Sequence, residues 1–90
     1  MESLWCDRGV VSDLSNGGMR LICRKVPKSP VELELHGCGL ELRLKATIAW
    51  STRLGFRRHE VGVKFVNLTP EQARQLTTMA MTNRMSRLAS

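Results

Sequence analysis

At 90 residues, with 42% hydrophobic and 24% charged side chains, the chain has the size and composition of one small globular domain. No run approaches the ~18 apolar residues of a membrane span, and MESLWCDRG lacks the basic start and apolar stretch of a secretory signal, so a cytoplasmic location without membrane insertion is expected. Fourteen Lys and Arg against eight Asp and Glu leave a formal charge of +6, which favours an anionic partner, while Cys6, Cys23 and Cys38 fit neither a disulfide framework nor a CxxC pair and read as reduced thiols.

Trp5 to Val11 and Met19 to Arg24 are short strand candidates flanking DLSNGG. There Asp13 and Ser15 can bond nearby backbone amides, and Gly17 and Gly18 can adopt conformations closed to other residues, so a strand-to-strand turn is expected on local grounds. Pro27 and Pro30 mark a loop. In Val31-Glu32-Leu33-Glu34-Leu35 apolar residues alternate with carboxylates, which puts the apolar set on one face of a half-buried strand. His36-Gly37-Cys38-Gly39 supplies the reversal, and Leu40, Leu42, Leu44, Ala46, Ile48 and Trp50 repeat at period two on the returning strand. The polar faces of this hairpin match Glu32 and Glu34 with Arg43 and Lys45. Ser51 to Glu60 reads as a polar loop containing Gly55 and the pair Arg57-Arg58, and Val61, Val63 and Phe65 form the inward face of another strand. Trp50 and Phe65 are assigned to the core.

Thr69-Pro70-Glu71-Gln72 changes the period: a threonine N-cap, a proline in the first helical position and a glutamine two residues further on make a capping box, and Glu71 suits the positive end of the helix dipole. Leu68 is placed to staple onto Ala73, and Ala73, Leu76 and Ala80 give a stripe for packing. Met79, Met81 and Met85 read as space-fillers, and the tail from Thr82 to Ser90 is expected to fray. Strands followed by one terminal helix, without β-α alternation, imply an all-β fold in one domain over residues 1–90, a small antiparallel barrel or sandwich with a core of about residues 4–80.

No Ser-His-Asp or Cys-His arrangement, paired-carboxylate cleft, phosphate-cradling loop or metal-ligand spacing is present in the sequence, and His36 and His59 stand apart, so neither catalysis nor a bound metal is expected. The four large aromatics, Trp5, Trp50, Phe56 and Phe65, do not form the stacking platform of a nucleic-acid-binding barrel.

The order Asp13-x-Ser15-x-x-Gly18, hairpin, Ile48-Ala49-Trp50, Gly62-x-x-Phe65-x-x-Leu68 and capped helix resembles the PilZ domain family from about Val10 to Leu76. The resemblance implies an antiparallel barrel of about six strands with one C-terminal helix. It also implies a bacterial signalling module that binds cyclic diguanylate, or else an adaptor that binds a protein and no nucleotide. In the family an RxxxR segment ahead of the barrel and the DxSxxG turn hold the ligand. By resemblance Asp13 and Ser15 would accept hydrogen bonds from guanine N–H groups and Gly18 would let the ligand approach the backbone. Only twelve residues precede Asp13, which leaves no space for the upstream RxxxR segment and makes Arg8 the one arginine available ahead of the turn as a ligand contact. Arg20 with Arg24 and Arg53 with Arg57 match the spacing at other places in the chain. A missing N-terminal strand would leave a sheet edge for a second copy of the chain to cover, giving a homodimer.

Overall fold

The period-two runs become strands in the computed structural model, which describes residues 4–89 and the side chains of residues 4–82. The elements are β1 (Trp5–Cys6), β2 (Val10–Leu14), β3 (Gly18–Cys23), β4 (Val31–Gly37), β5 (Leu40–Gly55), β6 (Arg58–Val66) and α1 (Pro70–Ala89). The six strands form one antiparallel sheet in the order β1-β4-β5-β6-β3-β2. Its two ends meet at a Cys6–Gly9 bridge, which nearly closes the sheet into a barrel. The single stretch Trp5 to Val11 expected from the sequence is therefore two strands, because Asp7, Arg8 and Gly9 turn the chain across the seam.

Alternation decides which side chains fill the barrel. Val31, Leu33 and Leu35 of β4, Leu42, Leu44 and Ala46 of β5, and Val61, Val63 and Phe65 of β6 are all buried in one cluster with Leu14, Met19 and Leu21. The β4–β5 register sets Glu34 opposite Arg43 and Glu32 opposite Lys45, and Glu34 Oε1 lies 3.3 Å from Arg43 Nε. At the turn of this hairpin both Cys38 (φ 53°) and Gly39 (φ 72°) occupy the left-handed region, the pattern of a type I′ turn whose twist matches the strands.

The expected loop from Ser51 to Glu60 is absent. Its residues continue the β5–β6 ladder, with Thr52 opposite Glu60 and Gly55 opposite Arg58, and only Phe56 and Arg57 make the turn. The segment reads as a loop because the ribbon has left the barrel there and both of its faces meet solvent, so the sequence shows no apolar alternation.

The capping box forms as expected: the Gln72 backbone N–H donates to Thr69 Oγ1 and the Thr69 N–H donates to Gln72 Oε1, both at 3.1 Å. Gln72 Nε2 also donates to the Arg43 carbonyl at 3.1 Å, which ties the start of α1 to β5. Leu76, Met79 and Ala80 join the barrel cluster, whereas Ala73 is only partly buried and Met81 is exposed. Burial of a side chain such as Leu76 stabilises the docked helix by roughly 1.5–3 kcal/mol. The helix continues through Thr82 to Ala89, and the Met85 side chain lies outside the described residues.

The outer edge of β4 is partly covered. Beyond the short β1, the Asp7 N–H donates to the Glu34 carbonyl at 3.3 Å, the Glu34 N–H donates to Asp7 Oδ1 at 2.9 Å, and Arg8 Nε donates to the Glu32 carbonyl at 2.9 Å.

Candidate functional site

Two register shifts build the site. In β2, Val11 pairs with Leu21 but Asp13 pairs with Arg20, so Ser12 is an extra residue in the ladder. Uninterrupted pairing would set Asp13 opposite Met19, whose side chain is buried; the bulge moves the carboxylate to the outer face. In β5, Ile48 pairs with Val63 but Trp50 pairs with Gly62, which makes Ala49 the extra residue. The expected core position of Trp50 is thereby overturned: the indole is turned outward and is 43% exposed.

Both shifted residues arrive in the same transverse row. Asp13 pairs with Arg20, Arg20 with Gly62, and Gly62 with Trp50, so four neighbouring strands contribute one residue each. Gly62 is the floor of the row, since a Cβ there would overlap the Trp50 ring, which lies directly against the β6 backbone. Asp13 Oδ2 stands 3.3 Å from Arg20 Nη2, with side chains 35% and 50% exposed. Such a pair contributes at most about 1 kcal/mol, so its effect is to orient the two groups. In the adjacent row Gly18 pairs with Lys64, which is exposed. Asp13, Ser15, Gly18, Arg20, Trp50 and Gly62 border a concavity of about 250 Å³.

The turn beside this row is held by side chain and backbone together. The Ser15 N–H donates to the Gly18 carbonyl at 2.9 Å, and Ser15 Oγ both accepts from the Gly18 N–H and faces the Gly18 carbonyl, each at 3.2 Å. The Phe65 N–H donates to the Gly17 carbonyl at 3.0 Å, which fastens the turn to β6. The glycines are not there for a left-handed backbone, because Gly39 is the positive-φ glycine among the described residues. Gly18 is needed for close approach: a Cβ would strike the Val63 carbonyl of the paired strand.

Of the four residues expected to contact a ligand, the fold gathers Asp13, Ser15 and Gly18 and leaves Arg8 elsewhere. Arg8 borders a separate concavity with Asp7, Glu32, Glu34, Arg43 and Lys45, where its Nε serves the Glu32 carbonyl. Three residues of the row were not expected there from the sequence: Arg20, Gly62 and Trp50. Arg20 and Arg24 match the RxxxR spacing, but Arg24 lines a different hollow, with Trp5 and Val10. The signal for Arg20 was strand phase: it alternates with buried Met19 and Leu21, which sends it outward beside the Asp13 turn. Trp50 had no such signal, because its outward position depends on the bulge.

Thiol chemistry does not enter the site. Burial pushes the Cys6 thiol up to about 11 and raises the Cys23 thiol as well, so both stay protonated and unreactive at neutral pH. Among the described residues no group of three or more His, Cys, Asp or Glu is arranged to hold a metal ion, and no helix is long and apolar enough to cross a membrane.

The small barrel thus aligns a carboxylate, a guanidinium and an aromatic ring on its outer wall. The model of the PilZ domain family matches residues 6–81, and the chain belongs to that family. Neither a curated protein nor a solved structure matches the chain.

Proposed function

We propose that this domain is a non-enzymatic, cytoplasmic receptor for cyclic diguanylate that meets the dinucleotide on the Asp13–Arg20–Gly62–Trp50 row and the adjoining Ser15–Gly18 turn. The observation that carries this reading is the pair of bulges, which bring Asp13 and Trp50 outward onto one row around Arg20. A guanine offers N–H donors on one edge, O6 and N7 acceptors on another, and a flat face. Asp13 suits the donor edge, Arg20 suits the acceptor edge or a phosphate, and the exposed indole of Trp50 suits the face. Lys64, one row away, adds a positive charge for a phosphate. Isothermal titration with cyclic diguanylate tests the reading: Trp50→Ala and Asp13→Asn should each weaken binding at least about tenfold, and an absence of heat from the unaltered chain at about 100 μM ligand refutes it.

A second reading, a protein adaptor that binds no nucleotide, is favoured by two contacts. The Ser15 hydroxyl is engaged within its own turn, and Arg8 Nε is occupied by the Glu32 carbonyl in a different hollow. Under that reading Asp13→Ala disturbs the turn and leaves capture of the protein partner unaffected.

A further inference from the structure

The β5–β6 ribbon extends beyond the barrel wall. β4 covers β5 only as far as Ala46, so from Thr47 to Gly55 β5 is paired with β6 alone. At the far end stand Phe56, 83% exposed, and Leu54, 49% exposed, the first being the most exposed of the large hydrophobic residues described. Arg53, Arg57 and Arg58 surround them, all exposed.

The arginines at this tip differ from those on the barrel body. Arg20 and Arg43 are paired with Asp13 and Glu34, whereas among the described residues no carboxylate pairs with Arg53, Arg57 or Arg58. Arg53 Nε donates to the Gly55 carbonyl at 3.3 Å, and the Arg57 guanidinium lies 5.6 Å from the Phe56 ring centroid, so the tip is organised by contacts that leave its charge uncompensated. Arg57 also holds a left-handed backbone, φ 51°, where glycine would be less strained.

We propose that this tip docks on an anionic phospholipid bilayer, with Phe56 and Leu54 entering the interfacial zone and Arg53, Arg57 and Arg58 taking lipid phosphates. Size and charge select this occupant. A stable protein interface buries about 800 Å² on each partner, far more than the two apolar side chains at the ribbon tip can supply. A bilayer needs no matching contour, accepts an aromatic ring at headgroup depth, and rewards a small cationic cluster. A nucleic acid would be better met by basic residues along the ribbon, but Ala49, Trp50, Ser51 and Thr52 carry no charge and Glu60 follows Arg58 and His59.

The test is sedimentation of the full chain with phosphatidylcholine vesicles, with and without phosphatidylglycerol, at low and high salt. Binding should require phosphatidylglycerol and fall with salt. Phe56→Ser should weaken it about tenfold, and Arg57→Gly about fivefold. Arg57→Gly suits the backbone at that position, so its thermal melting should be no lower than that of the unaltered chain, and cyclic diguanylate titration of both variants should match the unaltered chain. The proposal is overturned by failure to sediment with anionic vesicles, by binding that both variants retain in full, or by tip-dependent binding to duplex DNA in place of vesicles.

Discussion

Leu44 and Leu54 lie on one strand of the same ribbon, yet Leu44 is 3% exposed and Leu54 is 49% exposed. Up to Leu44 β5 pairs with β4 alone, at Lys45 and Ala46 with both β4 and β6, and from Thr47 with β6 alone; the inner half turns Leu42, Leu44 and Ala46 into the barrel cluster, and the outer half has no wall across from it. Strand formation is common to both halves, and burial belongs only to the one with opposing walls. Regular pairing therefore does not by itself make a residue part of the core. What makes the core is a second layer to pack against, and the outer half, released from that requirement, is available for recognition.

Leu44→Ala should cost about 2–5 kcal/mol in urea unfolding and Leu54→Ala less than about 0.5 kcal/mol; equal costs would mean that the arm is packed. Next comes the junction between the halves. Gly62→Val places a side chain where the Trp50 ring lies and should cost about 1–3 kcal/mol while shifting Trp50 emission, read in a Trp5→Phe background.

Smaller again is a graded effect of pH on the barrel end. Cys6 ionises near 9.0 when unfolded and near 11 when buried, so at intermediate pH the unfolded chain releases a proton that the folded chain retains. The stability present below pH 9 is lost as pH rises toward 11, and Cys6→Ala should flatten that slope in melting curves taken across the range. The smallest effects compare the two turns. Gly39→Ala, at φ 72°, should lower stability by about 1 kcal/mol, while Arg57→Gly, at φ 51°, should raise it by up to about 1 kcal/mol, both by denaturant midpoint.

The alternation that defines β4, the inner half of β5 and β6, the reciprocal Thr69–Gln72 cap, and the turn from Ser15 to Gly18 are legible in the residues alone. These are local: a period of two or a residue pair three apart states its geometry within a few residues. The outward indole of Trp50, the meeting of Arg20 with Asp13, the contact of Arg8 with the β4 edge, and the ribbon from Ser51 to Glu60 emerge only when the strands assemble. Each of these depends on a neighbouring strand, through a bulge that shifts the register by one residue or through a wall that stops short, and a one-residue shift reverses the facing of every side chain beyond it.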